Sequence, residues 1–582
     1  MKHGVIAVAM ASLLLTACGE QAKTTTQTQS STSLAEYADV IYYGGDILTM
    51  ATEAPSYAEA IATQGEKIIY VGDKHTALTY QQDHTQLVDL QGQTLMPGFI
   101  DSHSHVYGVG LQAMVANVLP PPDGQASSVE QLVQILISAT SDAKYQPFIA
   151  KTNAILGFGY DDAELDRYPT KADLDKVSTT QPVIIIHTSG HLSVANSVAL
   201  KMAGINANTE NPKGGVIRKM PNSDEPNGVL EENAHFALLF ALMKNFDVEL
   251  QDMMLEQAQQ LYAKYGYTTA QEGRATQEGY DAMDRASKAG SFVIDVVAYA
   301  DMATSTDFMD SAYNSPTYTN QFRIGGVKLN FDGSPQGKTA WLTHPYHIAP
   351  EGQDEQYAGY ATFDDQTAFN YVETAFKNNW QVLTHANGDA AIEQFIDAVE
   401  HATNKLGKAD RRPVLIHGQT IRQDQVARLK DLGIFPSLFP MHTFYWGDWH
   451  VESVLGHPRA DFISPTQAVL AQGLMFTSHH DAPVALPDSF RVLDATVNRT
   501  TRTKQILGAD QRVEPYTALK ALTSWAAYQY FEQDNKGMLK PTMQADLIIL
   551  SANPVKVPRE EIKHIKVHQT ISRGQVVYQA SQ

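Results

Sequence analysis

The sequence predicts an α/β protein organised around a (β/α)8 TIM-like barrel, and three observations lead to this fold class. In the middle of the 582-residue chain, strand-like apolar runs alternate with helical segments, which is typical of parallel sheets. Eight of these runs end near polar residues, and a barrel of this kind needs eight strands. Short strands and turns occupy both ends of the chain instead, which predicts a small composite β-sandwich formed by the two termini.

The positions of these runs define the predicted domains. We predict the sandwich at residues 37–96 and 537–582 and the barrel at 97–536. A long insertion, at about 107–246, follows the first strand. It should wall the substrate pocket, because active sites of this fold lie at the C-terminal ends of the strands. In chain order, the predicted barrel strands are 95–105, 267–272, 292–300, 326–332, 380–385, 414–417, 434–439 and 474–481.

The N-terminal residues have the composition of an export signal followed by a polar tether. Residues 1–17 combine a basic start with an apolar run that is too short for a spanning helix, which needs roughly 20 apolar residues. The sequence around Cys18 resembles a bacterial lipobox, which implies cleavage before Cys18 and its acylation. The alternative is an ordinary signal peptide with an incidental cysteine. Residues 18–36 are rich in Thr, Gln and Ser and predict a flexible tether.

The net charge and the cysteine content limit which binding partners and which cellular location the sequence allows. A net charge of −21 argues against nucleic acid and against a polybasic membrane surface. We therefore expect membrane contact only through the lipid anchor of an exported bacterial lipoprotein facing the periplasm. Gly19 after Cys18 favours the outer membrane if the host is Gram-negative. Because Cys18 is the only cysteine, no internal disulfide forms and the fold depends on core packing. A homodimer is left open.

The most informative motif is the His-x-His pair of His103 and His105 at the end of the first predicted strand. Side chains at i and i+2 of a strand leave the same face, so both imidazoles can converge on one metal ion. The alternative is a pair of histidines hydrogen-bonded to backbone. Ligand candidates at the ends of later strands make that alternative weaker.

His385 and His417 each end an apolar run, and the two runs are successive predicted strands. A lone histidine at such a position is more often a core residue with satisfied hydrogen bonds. Two of them in succession, after a His-x-His pair, favour metal ligation.

Lys328 lies in the fourth predicted strand, four residues before Asp332. A lysine that points into a barrel is costly unless it is neutralised or modified. One solution is reaction with CO₂ to give a carbamate, whose two oxygens could bridge two metal ions. The other is an ion pair with Asp332 or with a carboxylate of the substrate.

Asp481 ends the eighth predicted strand, directly before Ala482 and Pro483. A carboxylate beside a divalent metal stays ionised, and it can take a proton from water and return it to a leaving group. The alternative is an aspartate that only shapes the turn before the proline. His479 and His480 precede it, and at most one of them should face the pocket because neighbouring strand residues point in opposite directions.

Four motifs together resemble the amidohydrolase superfamily, in particular its YtcJ-like branch. The resemblance covers nearly the whole mature chain, and the motifs are specific in combination. They are Pro97-Gly-Phe-Ile-Asp-Ser-His-Ser-His105, Lys328 with Asp332-Gly-Ser, His385-Ala-Asn-Gly-Asp389 and Asp481-Ala-Pro-Val484.

This resemblance implies a zinc site with one or two ions, and other divalent metals remain open. It implies that Lys328 carries the bridging carbamate and that Asp481 is both a ligand and the proton shuttle. By position, the remaining implied metal ligands are His103, His105, His385 and His417.

Five further motifs give a narrower resemblance to N-substituted formamide deformylases: Leu119-Pro-Pro-Pro122, Gly159-Tyr-Asp-Asp162, Ser189-Gly-His191, Tyr445-Trp-Gly-Asp-Trp449 and Ser478-His-His-Asp-Ala-Pro483. This resemblance implies a small amide substrate. We predict that His191, Asp332 and aromatic residues after strand seven contact it. The aromatic residues among them could wall an apolar N-substituent, and packing of a long loop is the equally open alternative. These aromatic residues are Tyr445, Trp446 and Trp449.

The sequence thus predicts a zinc-dependent hydrolase that cleaves a non-peptide C–N amide bond, of N-acyl or N-formyl amine type, with Asp481 as acid and base. A cyclic amide, carbamate or ester hydrolase would use the same residues. A non-catalytic solute-binding lipoprotein is the rival from a different class, and the convergence of ligand candidates argues against it.

Overall fold

The computed structural model describes residues 37–162, 164–350 and 352–581. Cys18, the predicted signal segment 1–17 and the predicted tether 18–36 lie outside the described residues. Within the described ranges, no helix combines the length and the apolar composition that crossing a membrane would require.

A parallel sheet of eight strands forms the centre of the fold. Its strands lie side by side in the same order in which they follow one another along the chain. Among the described residues, the first strand pairs only with the second, and the eighth pairs only with the seventh. Beyond these two strands, the backbone N–H of Asp481 donates to the carbonyl oxygen of His103 at 3.2 Å, so the sheet is curled and its two edges meet. The strands are Phe99–Ile100, Tyr267–Ala275, Asp295–Asp301, Phe322–Asn330, Gln381–Ala386, Val414–His417, Phe435–Leu438 and Thr477–Ser478.

The predicted α/β class is confirmed, the predicted (β/α)8 barrel is present as a curled parallel sheet of eight strands, and two predicted strands need correction. The first predicted strand, 95–105, is divided at Pro97-Gly98: Thr94–Pro97 pairs antiparallel with Leu547–Leu550 in a different sheet, and only Phe99–Ile100 joins the central one. Proline has no N–H to donate, which suits a break in pairing here. The eighth predicted strand, 474–481, shortens to two residues. In the described residues, the first and eighth strands do not pair with each other, so strand pairing does not close the sheet into a complete barrel.

The longer helices pack on the central sheet through apolar faces. Asp389–Leu406 buries Ile392, Phe395, Ile396 and Val399, at the three- and four-residue spacing of one helix face. The α-helices of this layer are Val106–Met114, Val248–Lys264, Gln277–Ala289, Asp365–Lys377, Asp389–Leu406, Gln423–Leu432, His442–Tyr445, Gly447–Trp449, Thr466–Ala471, Ser489–Asn498, Pro515–Lys520 and Ser524–Gln529.

A second sheet combines strands from both ends of the chain, as the composition of the termini predicted. Thr94–Pro97 connects the two sets, since it pairs parallel with Val40–Leu48 and antiparallel with Leu547–Leu550. Its packing as a two-layer sandwich stays a prediction. The remaining strands are Tyr57–Gln64, Lys67–Gly72, Gln86–Asp89, Val567–Ser572 and Gln575–Gln579, and Lys74–Ala77 is a short helix beside them.

The insertion after the first central strand forms a third, six-stranded sheet with its own buried core. The hydroxyl of Thr188 donates to the carbonyl oxygen of Val484 at 3.2 Å, which places the insertion beside the loop that follows Asp481. Its strands are Ala116–Asn117, Ile155–Tyr160, Val183–His187, Leu192–Ala195, Gly215–Lys219 and Pro226–Glu232, and its helices are Val129–Ala139, Gln146–Thr152, Lys171–Leu174, Ser197–Met202 and Asn233–Met243.

Candidate metal centre

Three imidazoles surround the carboxylate of Asp481 where the strands of the central sheet end. The Nε2 atoms of His103 and His105 lie 3.4 and 3.5 Å from Asp481 Oδ1, and His417 Nε2 lies 3.9 Å from Asp481 Oδ2. The ligand atoms of His103, His105 and Asp481 all lie within 4.8 Å of one another. The structure thus brings together side chains that the sequence placed on three different strands.

The backbone holds this cluster together at the two edges of the sheet. Asp481 N–H donates to His103 O at 3.2 Å, and His105 N–H donates to Ala482 O at 2.8 Å. Asp481 has a φ of 53° and His417 a φ of 74°. For residues other than glycine, such left-handed conformations cost on the order of 1–3 kcal/mol, and they concentrate at functional sites.

Lys328 lies in the same cluster, on the inner face of the fourth strand. Its Nζ is 3.0 Å from His103 Nε2, and the side chain is almost fully buried. Burial lowers the pKa of Lys328 to about 7, although the carboxylate of Asp481 opposes the shift; the guanidinium of Arg274 adds to it. Near neutral pH, much of the population therefore carries a neutral amine.

His385 lies on the open side of the cluster, with its ring centroid 4.6 Å from that of His417. Its Nδ1 is 3.2 Å from Asp332 Oδ1, and its Nε2 is 3.1 Å from Asn387 Nδ2. The Asp332 carboxylate is buried and also accepts from the backbone N–H groups of Asn387, at 2.9 Å, and Gly388, at 2.7 Å. Asp332 is therefore placed to orient His385 and its loop, and its predicted contact with substrate stays a prediction.

The far sides of His103 and His105 are supported by two neighbouring residues of the second strand that the sequence did not single out as functional. His103 Nδ1 is 2.6 Å from Gln271 Oε1, and His105 Nδ1 is 3.7 Å from Glu272 Oε1. The Gln271 amide nitrogen donates to Ser102 O at 3.0 Å, so its oxygen faces His103 and can only accept. His103 consequently carries its proton on Nδ1, and the lone pair of Nε2 faces Asp481.

Burial and neighbouring carboxylates give the imidazoles of the cluster different charge states. Burial holds the pKa of His103 and of His417 well below the usual range. Burial also acts to lower the pKa of His105, but the carboxylates of Asp481 and Glu272 outweigh it and raise the pKa to about 9. Neutral imidazoles are the form that binds metal ions, and the charge on His105 compensates the paired carboxylates when no cation is bound.

Arg274 is another residue that the sequence did not identify. It follows the second predicted strand, and its Nε donates to Asp301 Oδ2 at 2.6 Å. The side chain is 52% exposed and acts on the pKa of Lys328, so a guanidinium borders the cluster on its solvent side. Its position one residue past Gly273 is the only sequence signal that could have indicated it.

The predicted substrate contacts His191 and Tyr445 lie in the insertion and in the short helix His442–Tyr445 after the seventh strand. His191 is half-exposed, and its Nδ1 is 2.9 Å from Glu232 Oε2. The hydroxyl of Tyr445 donates to the carboxylate of Asp123, which also lines a cavity of about 440 Å³ with Leu119. Both residues thus have protein partners, and their contacts with substrate stay predictions.

The two predicted tryptophans differ in exposure. Trp446 is buried, with its ring centroid 4.7 Å from that of His442. Trp449 is 40% exposed, donates from Nε1 to Gln336 O at 3.1 Å, and has Lys338 Nζ 4.9 Å from its ring centroid. Trp449 is therefore the one of the pair that presents an aromatic surface to solvent.

The chemistry of these groups fits a divalent metal. Imidazole nitrogens and a carboxylate oxygen are the ligand set that zinc takes in hydrolases. Asp481 Oδ1 is buried and faces the Nε2 atoms of His103 and His105 at 3.4 and 3.5 Å, without a well-aligned hydrogen bond in the described part of the chain. Buried polar atoms of this kind are rare in proteins unless they serve a ligand, so the site is suited to a cation.

The chain matches the amidohydrolase family over residues 86–578. It is 25% identical to YtcJ of Bacillus subtilis over 554 residues, which is 93% of this chain and 99% of that protein. It is 24% identical to an N-substituted formamide deformylase of Arthrobacter pascens over 541 residues, which is 90% of this chain and 95% of that enzyme.

Among solved structures, the fold is similar to that of an uncharacterized metal-dependent hydrolase from Pyrococcus horikoshii. The TM-score is 0.71 at 24% sequence identity, and the match covers 90% of this chain and 99% of the other.

Proposed function

The chain belongs to the amidohydrolase family, and from that premise we propose that it is a zinc-dependent hydrolase that cleaves a non-peptide C–N amide bond of an N-acyl or N-formyl amine. The observation that carries the proposal is the convergence of three imidazole Nε2 atoms on one carboxylate. The residues that would hold the metal, one or two ions, are His103, His105, Lys328, His385, His417 and Asp481.

A zinc ion bound by these residues would act as a Lewis acid on the amide carbonyl and would make water nucleophilic at neutral pH. The side chains of the protein would then transfer protons and orient the substrate. The Asp481 carboxylate lies at the centre of the imidazole cluster, so it is placed to take a proton from the attacking water and deliver it to the leaving nitrogen. His105 and His385 are the more exposed ligand candidates, and substrate would approach from their side.

Lys328 is proposed to be carboxylated. Its buried amine has a pKa of about 7, so the neutral form that attacks CO₂ is well populated near neutral pH. The new N–C bond gives a carbamate and releases one proton. A carbamate carries a negative charge, which would offset the cost of burying a cationic lysine among imidazoles.

The N-substituent of the substrate is proposed to be apolar. Trp449 offers an exposed aromatic surface after strand seven, and Tyr445 and Trp446 extend the same segment. The similarity to an N-substituted formamide deformylase supports this substrate class. The same residues would serve a lactam, carbamate or ester, so substrate tests have to separate these classes.

The experiment is a hydrolysis panel on the zinc-loaded protein, with N-formyl amines, N-acyl amino acids, lactams and lactones as substrates. We expect release of amine from N-formyl or N-acyl amines, with loss of activity in a chelator and recovery on adding zinc. Turnover of lactones alone would contradict the amide assignment. Zinc binding without turnover of any substrate in the panel would favour a solute-binding protein.

We also propose that the protein acts at the membrane, held by acyl chains on Cys18. The lipobox-like sequence around Cys18 supports this. Labelling with a radioactive fatty acid in a bacterial host should mark the full chain and not a Cys18→Ser variant. Equal labelling of both proteins would contradict the anchor.

A further inference from the structure

His479 lies directly behind His417, on the side away from Asp481. His479 Nε2 is 3.0 Å from His417 Nδ1, and His479 Nδ1 is 3.0 Å from the hydroxyl oxygen of Ser437. The side chains of His479 and Ser437 are almost completely buried, so solvent does not compete for these hydrogen bonds. The ring of Phe439 packs on His479, with the centroids 5.0 Å apart.

We propose that His479 and Ser437 are positioning residues that fix the tautomer of His417, so that the lone pair of His417 Nε2 faces the metal centre. The inference rests on the proposed function, because it assigns a role toward the proposed metal. It adds two residues to that site, neither of which is a ligand.

The tautomer follows from the order of donors and acceptors along the three groups. For His417 Nε2 to offer a lone pair, its ring proton has to be on Nδ1 and has to be donated to His479 Nε2. His479 then carries its own proton on Nδ1 and donates it to the Ser437 hydroxyl oxygen. In the reverse order, His417 Nε2 would carry a proton, and the ring could not bind a metal through that atom.

Comparison with His103 shows why a third group is needed. The Gln271 oxygen behind His103 can only accept a hydrogen bond, so one partner is sufficient to fix that tautomer. The ring nitrogen of His479 can either donate or accept. Ser437 therefore accepts a hydrogen bond from the other nitrogen of His479. We call this chain of two hydrogen bonds, from His417 to His479 and from His479 to Ser437, the relay.

The adjacent His480 has a different partner, which separates the roles of the two histidines. His480 Nδ1 accepts from the backbone N–H of Ala482 at 3.0 Å, so in the neutral ring the proton is on Nε2. That nitrogen faces Asp101 Oδ1 at 3.4 Å. His480 thus supports the loop before His103 and makes no contact with His417 that would duplicate the relay.

The test is zinc affinity at fixed pH, measured by competition with a fluorescent chelator on the purified protein. We expect His479→Phe, which keeps a ring but loses both hydrogen bonds, to weaken zinc binding roughly 10- to 100-fold. His479→Gln can place an amide oxygen near the position of Nε2 and should restore affinity close to wild type. Ser437→Ala should give an intermediate loss.

The matched control is Thr384→Val. Thr384 is a fully buried hydroxyl residue on the fifth strand, next to the strand that carries His417, and its hydroxyl has no hydrogen-bond partner in the described part of the chain. The zinc affinity of the Thr384→Val variant should equal that of wild type. Cobalt substitution provides a second readout, because the visible spectrum should change in His479→Phe and not in Thr384→Val.

The outcomes distinguish this inference from the proposed function. If wild type binds zinc and folded His479→Phe and Ser437→Ala bind it equally well, the relay is refuted and the hydrolase proposal stands. If His479→Gln loses as much affinity as His479→Phe, the role of His479 is packing and the relay is also refuted. If wild type binds no divalent metal, the proposed function fails and the relay fails with it. Should His479→Phe not fold, Ser437→Ala and His479→Gln decide the question.

Discussion

The carboxylate of Asp481 lies 3.4 Å from His103 Nε2, and the backbone N–H of Asp481 donates to the carbonyl oxygen of His103 at 3.2 Å. One pair of residues thus joins the two edges of the central sheet and also forms the middle of the candidate metal centre. The bond that joins the edges is between backbone atoms, so a side-chain substitution at either residue should alter the metal centre and leave the curl of the sheet in place.

Asp481→Asn should remove the proton acceptor while keeping the size of the side chain. We expect turnover to fall by about 10²- to 10⁴-fold, the usual contribution of a general acid or base. Metal content should fall much less, because the imidazoles remain. Steady-state kinetics and elemental analysis of the same sample check both, and a metal-loaded Asn variant with wild-type turnover would contradict the assignment.

Lys328 should carry a carbamate. Growth or incubation with ¹³C-bicarbonate should give a carbamate carbon resonance in wild type, and Lys328→Ala should lack it. Short carboxylic acids should partly restore activity to Lys328→Ala, because they supply the missing oxygens. Full activity of wild type in CO₂-free buffer, with no labelled carbon, would show that the lysine acts unmodified.

His235 should make the protein sensitive to acid. It is fully buried in the insertion helix Asn233–Met243, and burial lowers its pKa to about 4 from an ordinary 6.5. Between these values the unfolded chain binds more protons than the folded one, so stability rises with pH over that range and is lost on acidification. At pH 5 the cost is on the order of 1–2 kcal/mol.

His235→Leu should remove this pH dependence. Neither ring nitrogen has a hydrogen-bond partner in the ranges that the structure describes, so an apolar side chain loses no hydrogen bond. Thermal unfolding at pH 5 and pH 8 should show a smaller difference for the variant than for wild type. An unchanged difference would mean that the ring is solvated or bonded in solution.

Lys536 should be important for stability at the opposite end of the sheet. It is buried and pairs with Asp295, the first residue of the third strand, and with Glu532 Oε2 at 3.1 Å. Removing one partner of a buried ion pair costs about 3–5 kcal/mol, so Lys536→Met should unfold at markedly lower temperature. Lys556→Met is the control, since its bridge to Asp46 is exposed and should contribute about 0–1 kcal/mol.

Both lysine variants should bind zinc as wild type does at temperatures where they are folded. Equal melting temperatures for Lys536→Met and wild type would contradict the reading of this network as structural.

The ligand candidates were predictable from sequence because a strand end is a local feature. His385 and His417 each end an apolar run, and the structure places His417 beside Asp481 and His385 beside His417. The residues behind the ligands were not predictable in the same way. Gln271 and His479 have no local signal, since their role depends on which imidazole lies against them after the sheet curls.

The errors in the predicted strands have a similar cause. Hydrophobicity continues through Pro97, so one long strand was expected where the chain passes from one sheet to another at Gly98. A Cβ at Gly98 would lie 2.5 Å from a side-chain carbon of Thr268, and only the tertiary structure shows this close approach. Local pattern identifies such a run but not the sheet to which each part belongs.

The most direct test of the metal centre is the zinc content of the purified protein and of its His103→Ala variant, measured by elemental analysis after dialysis. We predict one or two ions for each wild-type chain and a large loss for His103→Ala with the fold retained. A wild-type protein that hydrolyses its substrate without any bound metal, or a His103→Ala variant with unchanged zinc, would contradict it.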